Sequence, residues 1–407
     1  MPPELDLLIV DTHPMPYKAA VFAALAADRR VTSSVLYFRR TDEPGGANSE
    51  FGQAIDWNAP LFDGYPFTVL PADLAIRGLR AWRHFPAVWA LLRRLDPKIV
   101  LFTNVLWSMS LILLLAAKLQ GRTTAVRIET SEEALVRPPL KALLRGVVYR
   151  TLYLAMDYAY AIGELNRRHL VKYGIPRGRI VFSPYSTVDK QAGLSAAEKT
   201  RRRNDVRDHI GIPRDRVVVA FFGKLIDKKH PEMLLHAAAE VAARRGERLS
   251  VLFVGSGRLK ARLLQLSQLC GAIDTHFVGF VDQAGIGDYY LAADIVMLPS
   301  RRQGETWGLV VNEALQAGCA VVMSDAVGCS AEFGKARRCA VFPTGNLEAA
   351  ASALGRLCDL QRDFDWAQGL MAEYSTETAA AAIAAGVLAH LRREGGGLPR
   401  APRLVKQ

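Results

Sequence analysis

The first 269 residues contain no cysteine, and the five that follow form no CxxC pair; they are Cys270, Cys319, Cys329, Cys339 and Cys358. An odd number without paired spacing indicates neither a disulfide framework nor a zinc knuckle. Reduced, buried thiols are typical of a cytosolic protein. The amino-terminal residues also lack the basic region and cleavage site of a signal peptide. We therefore expect a cytoplasmic protein.

Acidic residues are few relative to basic ones, with 40 Asp and Glu against 52 Lys and Arg and a formal charge of +12. An excess of this size indicates an anionic partner: nucleic acid, an anionic membrane or a phosphorylated substrate. No nucleic-acid-binding motif accompanies the charge, so we do not expect nucleic acid. Half of the residues are hydrophobic, which excludes a disordered chain.

Long hydrophobic runs are also rare, and residues 99–117 (IVLFTNVLWSMSLILLLAA) form the one candidate for a membrane span. Polar residues interrupt this run at Thr103, Asn104, Ser108 and Ser110. The run is rich in β-branched residues before the Thr-Asn pair and rich in leucine after it. The pattern predicts a buried strand, a turn and a buried helix.

Short apolar runs alternate with helix-like segments along most of the chain. LDLLIV, VTSSVLYF, KIVLF, TAVRIE and YAYAIG come first; VVVAFFG, LSVLFVG, THFVGFV, ADIVMLPS and CAVVMSD follow. Such alternation is typical of parallel sheets with helices on both faces, and 407 residues exceed one core. The sequence predicts an α/β protein with two Rossmann-like, doubly wound domains that face a cleft, where ligands bind beyond the carboxyl ends of the strands.

A polar, highly charged stretch at 183–216 indicates a linker or boundary between the two domains. We place the first domain at 1–190 and the second domain at 191–375. An Ala-rich helix at 376–394 is expected to pack back on the first domain. The basic tail, 395–407, has the composition of a disordered segment.

Residues 298–318 (LPSRRQGETWGLVVNEALQAG) carry two glutamates on either side of a predicted helix start. The backbone N–H groups near Gly308 and Leu309 can bind a phosphate there. Glu305 and Glu313 can accept hydrogen bonds from sugar hydroxyls on either side of that phosphate. The pattern suits a nucleotide sugar. The alternative is that Glu305 caps the helix and that Glu313 is a solvated helix residue.

Several segments together resemble glycosyltransferase family 4. The matching residues of its E-x7-E segment are Pro299, Ser300, Glu305, Gly308, Glu313, Ala314 and Gly318. Residues 221–235 (FFGKLIDKKHPEMLL), the VLFVGSG and HFVGFV runs, and residues 161–189 are similar to further segments of that family. The resemblance implies the two-domain GT-B architecture and transfer from a nucleotide sugar with retention and without a metal ion.

The resemblance also implies roles for individual residues. Lys224 and Lys229 would stabilise the departing diphosphate, although the family usually has arginine at the first position, and a solvated pair at 228–229 is the alternative. Glu305 would orient the donor sugar, and Glu313 would hold the ribose diol. The remaining donor-binding candidates are Gly223, Gly255, Ser256, Gly257, Gly308 and Leu309, whose small side chains or N–H groups would face the nucleotide.

The first domain matches a subgroup involved in bacterial surface-polysaccharide assembly. Its first loop, HPMPYK (13–18), resembles the H-P-x-x-Y-K variant, and residues 51–65 are also similar to that subgroup. His13 is therefore a catalytic candidate, unless it only caps a helix. Tyr17, Lys18 and Glu129 are acceptor-side candidates, and Glu129 stands where family members often have a histidine.

Two segments, 75–94 and 137–155, mix basic residues with leucines and aromatics. Basic amphipathic helices suit an anionic membrane surface. We therefore expect two partners, an anionic membrane surface and a lipid-linked acceptor. The protein would attach peripherally to the inner face of the membrane. The alternative is that these helices turn their apolar faces to the core and their basic faces to solvent.

These features predict a retaining glycosyltransferase that moves a sugar, with a UDP-sugar favoured, to a hydroxyl of a glycan or lipid-linked acceptor in cell-surface polysaccharide or glycoconjugate synthesis. A nucleotide-sugar epimerase and a non-enzymatic binding or scaffold protein are the alternatives. A nicotinamide enzyme is disfavoured because Lys260 replaces the third fingerprint glycine. Asp363 and Asp365 form a D-x-D in a helix-like stretch, which we interpret as surface; no metal or other cofactor is expected.

Overall fold

The computed structural model describes residues 4–40, 60–71 and 78–394. Within these residues the first sheet has seven parallel strands in the order β3-β2-β1-β4-β5-β6-β7. The strands are β1 (Leu7–Asp11), β2 (Ser33–Tyr37), β3 (Phe67–Val69), β4 (Ile99–Phe102), β5 (Thr123–Val126), β6 (Tyr158–Ala161) and β7 (Ile180–Phe182).

The second sheet, again within the described residues, has six parallel strands in the order β10-β9-β8-β11-β12-β13. The strands are β8 (Val218–Phe222), β9 (Leu249–Val254), β10 (Ile273–Gly279), β11 (Ile295–Leu298), β12 (Ala320–Ser324) and β13 (Cys339–Phe342). The chain order reverses beside β1 in the first sheet and beside β8 in the second, and such switch points are where open α/β sheets bind ligands.

The helices follow the strands as crossovers. Those of the first domain are α1 (Pro16–Ala27), α2 (Phe85–Leu95), α3 (Ser108–Leu119), α4 (Pro139–Leu154) and α5 (Glu164–Lys172). Those after it are α6 (Ala196–Ile210), α7 (Glu232–Arg245), α8 (Lys260–Leu269), α9 (Ile286–Ala292), α10 (Leu309–Gln316), α11 (Ser330–Phe333), α12 (Leu347–Leu357), α13 (Gln368–Ala372) and α14 (Thr376–Glu394).

Strand β1 shows why an uninterrupted apolar run suits a central strand. Its side chains alternate between faces, so Leu7 and Ile9 pack with residues of α1 and α14, while Leu8 and Val10 pack with residues of α2, α3 and α4. A strand covered on both faces has no position for a solvated side chain. Both sheets are covered in this way, and the predicted α/β fold with two doubly wound domains is confirmed.

The apolar run at 99–117 is confirmed as a strand, a turn and a helix, because β4 ends at Phe102 and α3 begins at Ser108. Both elements are buried in the first domain. Over the part of the chain that the structure describes, no helix is long and apolar enough to cross a membrane.

The interpretation of 183–216 as a linker is wrong for its central part. Residues 196–210 form α6, and Arg203 and Arg207 in this helix both bind Asp294, which directly precedes β11. Arg207 is fully buried and also donates to backbone carbonyl oxygens. Two of the arginines in this stretch therefore belong to a largely buried ion-pair network that fixes α6 to the second domain.

The last described helix, α14, packs against α1 of the first domain through Ala379, Ala380, Ile383, Ala384 and Val387. The tail at 395–407 lies outside the described residues, as do 51–59 of the subgroup-like segment and 75–77 of the first basic segment.

Helix α4 exposes its leucine-rich face to solvent. Its buried residues are Tyr149 and Tyr153, whereas its leucines at 140, 143 and 144 are exposed. The alternative in which the leucine-rich face packs on the core is therefore wrong for this helix.

Candidate active site

A cavity of about 680 Å³ lies between the two domains. The first domain contributes the start of α1, with Tyr17 and Ala20, and the second contributes Gly223 and Gly255 from the ends of β8 and β9. The cavity therefore opens at the carboxyl ends of the strands, and its size is typical of small-molecule sites.

The glycines after β8 and β9 allow two loops to pass at close range. A Cβ on Gly255 would lie 1.9 Å from the carbonyl oxygen of Gly223, and one on Gly257 would lie 2.5 Å from that of Leu225. Gly223 and Gly255 line the cavity. Ser256 accepts a hydrogen bond from the Leu225 N–H, behind that wall. The glycines at 255 and 257 are thus required by contact between the loops, a constraint that the sequence pattern alone did not reveal.

Lys229 and Glu305 form an ion pair beyond the ends of β8 and β11. The Glu305 side chain is only 9% exposed, and Ser300 Oγ donates to the same carboxylate oxygen at 3.0 Å. Burial by itself would raise the pKa of Glu305, but the charge of Lys229 outweighs it and holds the pKa below its usual value. Glu305 is therefore a carboxylate, and the alternative that 228–229 is a solvated pair is wrong for Lys229.

Helix α10 begins at Leu309, with Gly308 as its N-cap at φ 97°. A Cβ on Gly308 would lie 2.7 Å from Val327 Cγ1, so both backbone angle and space favour glycine there. No side chain caps this helix, and the capping alternative for Glu305 is therefore wrong. Leu309 lies on the cavity wall, so the N-terminal end of α10 faces the cavity.

Glu313 also lies on the cavity wall, one turn further along α10. Tyr290 donates to Glu313 Oε2 at 2.7 Å, and Lys190 Nζ lies 3.3 Å from Oε1. Lys190 also donates to Gln283 at 2.7 Å. With its side chain 14% exposed and held from two sides, Glu313 is not the solvated helix residue of the alternative interpretation.

Lys224 directly follows Gly223 at the end of β8 and is partly buried. Its neighbourhood therefore combines two lysines, at 224 and 229, with the start of α10 on the same sheet edge. Such a grouping of fixed positive charge can hold a diphosphate without moving during the reaction.

A second, polar cavity of about 230 Å³ lies at the carboxyl edge of the first sheet. Lys18 lies within it between Asp11, 3.1 Å from Oδ2, and Glu129, 3.3 Å from Oε1. Burial would raise the pKa of Glu129, but Lys18 holds it below its usual value. The other lining residues include Thr12, Thr103, Asn104, Ile128, Thr130 and Tyr149.

In the chain, His13 lies between Thr12, which lines the polar cavity, and Met15, which lines the larger cavity. Thr12 Oγ1 is 2.9 Å from His13 Nδ1, and Met15 is the N-cap of α1, so His13 does not cap that helix. Burial lowers the pKa of His13, which keeps its imidazole neutral at neutral pH. Tyr17 lines the larger cavity and packs edge-on against Tyr185, with ring centroids 5.2 Å apart.

Two basic residues of the site were not singled out in the sequence. Arg127 directly follows β5 and is buried, where it donates to Ser183 Oγ and the Pro184 carbonyl oxygen and lies over the Tyr185 ring. Lys190 holds Glu313. The signal for Arg127 was a lone arginine inside the apolar run TAVRIE, whereas Lys190 lay in the stretch interpreted as linker.

The loops around the site are joined across the cleft. The Gly304 N–H donates to the Ala134 carbonyl at 2.6 Å, and Arg302 Nη1 donates to that of Glu133 at 3.1 Å. The first domain therefore contacts the loop that carries Glu305.

The D-x-D at 363–365 does not lie at this site. Asp365 accepts a hydrogen bond from Lys199, and Asp363 lies near Arg337 and Arg338. The expectation of a helix-like stretch here is wrong, since these residues form bends between α12 and α13. Among the residues with described placement, no three His, Cys, Asp or Glu side chains come together as a metal site would require.

The similarity of this chain to known protein sequences is concentrated in the second domain. Residues 202–367 match the family model for glycosyl transferases, group 1. The D-inositol 3-phosphate glycosyltransferase 2 of Catenulispora acidiphila is 36% identical over 178 residues, which cover 41% of this chain and 40% of that protein. The putative teichuronic acid biosynthesis glycosyltransferase TuaC of Bacillus subtilis is 29% identical over 154 residues, 38% of this chain and 36% of that protein.

The chain thus spans about two fifths of the length of these relatives. Structural similarity, by contrast, extends over almost the whole chain. The structure of Anabaena Alr3699/HepE in complex with UDP and glucose superposes with a TM-score of 0.66 at 16% identity, covering 95% of this chain and 100% of that one. The two-domain architecture expected from the family resemblance is confirmed.

Proposed function

Because residues 202–367 belong to the group 1 glycosyl transferases, we propose that the chain transfers a sugar from a nucleotide diphosphate to a hydroxyl group. One observation supports this proposal most strongly. Glu305 directly precedes the start of α10 and Glu313 lies one turn into the helix, at the same sheet edge, and each of them pairs with a lysine. Carboxylates on both sides of a phosphate-binding helix end match a ligand with hydroxyls on both sides of its phosphates.

The donor is placed with its nucleoside towards Glu313 and its sugar towards Glu305. Glu313 accepts hydrogen bonds from the ribose diol, and the apolar wall beside it, with Phe280 and Val281, covers the base. Gly223 and Gly255 give the backbone wall along the phosphates, with Gly308 and Leu309 at the helix end. We favour a UDP-sugar, because UDP is bound in the structurally similar HepE.

Catalysis in this proposal comes from fixed charge. Lys224 and Lys229 stabilise the negative charge that develops on the departing diphosphate, with help from the N–H groups at the start of α10. Glu305 orients the sugar hydroxyls, which holds the anomeric carbon in place for attack. We propose that these cations take the role of a metal ion and that the anomeric configuration is retained.

The polar cavity of the first domain is the proposed acceptor site. Glu129 and Lys18 present one anionic and one cationic group there, so they can accept from and donate to the acceptor's hydroxyls. Tyr17 lines the donor cavity, and His13 directly follows Thr12 of the polar cavity, so we propose that the two substrates meet near these residues. Neutral His13 can exchange a proton with a hydroxyl at that position.

The acceptor class is a glycan or a lipid-linked glycan of the cell surface. The first loop, 13–18, resembles that of a surface-polysaccharide subgroup, and the chain is similar to TuaC, the putative teichuronic acid biosynthesis glycosyltransferase of Bacillus subtilis. Such an acceptor would be met at the cytoplasmic face of the membrane, and we place the protein there.

The test is product analysis with the purified protein, a set of UDP-, GDP- and ADP-sugars, and membranes as the acceptor source. The account predicts that one donor releases its nucleoside diphosphate only when acceptor is present, with the sugar recovered on the acceptor and activity kept in EDTA. Conversion of the donor sugar without acceptor would instead identify an epimerase. A product with the same anomeric configuration as the donor would support the proposed stereochemistry, and a product with the opposite configuration would overturn it.

A further inference from the structure

The outward face of α4 is apolar from Leu140 to Val148. Leu140, Leu143 and Leu144 are 68%, 65% and 59% exposed, and Val147 and Val148 follow on the same face at 58% and 47%. The spacing i, i+3, i+4, i+7, i+8 places all five on one stripe. The opposite side of the helix supplies Tyr149 and Tyr153 to the core. A surface helix of a water-soluble protein normally buries its apolar face and exposes its polar face. An exposed apolar stripe of this kind therefore indicates contact with another apolar surface.

Basic residues flank this stripe, and α4 contains no acidic residue. Lys141 and Arg150 are exposed on its two sides, as expected at 100° per residue from their positions between the apolar residues. Arg145 does not join them, because it donates to Thr130 at 3.0 Å and stacks on Tyr149. The face therefore combines a leucine and valine stripe with cations at its borders.

We propose that this face of α4 is the surface by which the first domain docks on an anionic lipid bilayer. The stripe enters the boundary between headgroups and acyl chains, and Lys141 and Arg150 contact the anionic headgroups beside it. A second copy of the chain is a poorer occupant, since two α4 faces would bring cations together with no acid on either helix to neutralise them.

The position of α4 relative to the polar cavity adds a functional consequence, which rests on the proposed function. Tyr149 of α4 and Leu106, itself about half exposed, both line that cavity, and Arg145 holds Thr130 at its wall. The proposed acceptor site would therefore lie across α4 from the bilayer, about one helix diameter (~10 Å) away. An acceptor anchored in the same bilayer by a lipid could present its headgroup sugar there without leaving the membrane.

The test is co-sedimentation with vesicles at physiological salt, with no donor or acceptor present. The vesicles are phosphatidylcholine alone, or phosphatidylcholine with about one third phosphatidylglycerol. The wild type should bind the anionic vesicles and only weakly the neutral ones. The variant Leu143→Gln/Val147→Gln, which changes only exposed side chains, should lose binding by about tenfold or more. The matched control Leu264→Gln/Leu269→Gln changes exposed leucines of the second domain and should bind as the wild type does.

Each other outcome has a defined meaning. Because the chain is basic overall, equal binding by Leu143→Gln/Val147→Gln would show attraction by net charge alone and would overturn the proposal. Absence of wild-type binding to either vesicle would overturn it too. Light scattering decides the remaining case: a wild-type dimer that Leu143→Gln/Val147→Gln converts to a monomer would assign the face to a second copy. Nucleotide binding, measured separately by melting temperature, should be unchanged in every variant, so failure here is distinguishable from failure of the proposed function.

Discussion

Lys229 donates a hydrogen bond to Glu305, and this ion pair joins the loop after β8 to the loop after β11. Both side chains are largely buried, and Ser300 completes the contacts of the carboxylate. The pair thus holds in a fixed relation the carboxylate that we propose orients the sugar and the cation that we propose binds the phosphate. Preorganisation of this kind is what charge stabilisation of a leaving group requires.

The pair should show a clear coupling in stability. Lys229→Met leaves the Glu305 carboxylate buried without its main cation, and we expect a loss of about 3 kcal/mol in the free energy of unfolding. Lys229→Met/Glu305→Gln removes that buried charge and should recover most of the loss. Denaturant unfolding of both variants and of Glu305→Gln completes the cycle. A Lys229→Met protein as stable as the wild type would contradict the proposed coupling.

Glu305→Gln should be nearly inactive while folded. The amide keeps the size of the side chain but cannot accept two hydrogen bonds with a full charge, so we expect transfer to fall about 100-fold. Steady-state rates with the identified donor, together with the melting temperature, measure this. Glu348→Gln, at an exposed position on α12, is the control and should retain wild-type rates. A Glu305→Gln enzyme within twofold of the wild type would remove the role assigned to this residue.

Glu129→Gln should affect the acceptor and spare the donor. Lys18 keeps its contact with Asp11 in this variant, so the cavity wall stays in place. We expect kcat/KM for the acceptor to fall about tenfold or more, because a charged acceptor of hydroxyl hydrogen bonds is lost. The nucleotide affinity should not change. Glu373→Gln, on the exposed surface, serves as comparison. If Glu129→Gln weakened nucleotide binding instead, Glu129 would belong to the donor site.

Glu332 makes stability depend on pH through a contact between the domains. It accepts the Glu164 N–H at the start of α5, and burial raises its pKa to about 7 from a usual value near 4.5. Between these values the folded state binds the proton more tightly than the unfolded state, so this group makes stability fall as pH rises from about 5 to about 8. Glu332→Gln keeps the accepting oxygen and removes the titration.

The melting temperature of Glu332→Gln should therefore exceed that of the wild type at pH 8 and match it at pH 5. Thermal unfolding of both proteins across this range measures the difference, in which other titrating groups cancel. Parallel curves for the two proteins would show that Glu332 does not titrate in this window.

The alternation of apolar runs was enough to predict the two sheets, because central parallel strands must be apolar on both faces. β1, β4 and β11 show this most clearly. Short peripheral strands such as β3, β7 and β13 were not predicted, since their three or four residues carry too little pattern. The helix α6 was missed because its many charged residues suggest a solvated linker. Two of them, Arg203 and Arg207, bind Asp294, which lies far away in the sequence.

The site divides in the same way. Glu305, Gly308 and Glu313 follow from one local motif and Lys229 from a second, and the structure brings them to one sheet edge. Lys190 and Arg127 depend on contacts between distant segments, which a single sequence does not reveal. The outward direction of the α4 stripe was equally hidden, because hydrophobic periodicity shows that a helix has an apolar face but not what that face contacts.

The central claim is that the cleft binds a nucleoside diphosphate through Glu313 and the cations around α10. Its most direct test is the melting temperature of the wild type and of Glu313→Ala with UDP, GDP and ADP. One diphosphate at about 100 times its Kd should stabilise the wild type by about 2.7 kcal/mol, a rise of several degrees. Glu313→Ala should show little or none of that rise at the same concentration. If no diphosphate raises the melting temperature, or if both proteins respond equally, the assignment of this cleft as a nucleotide-sugar site is contradicted.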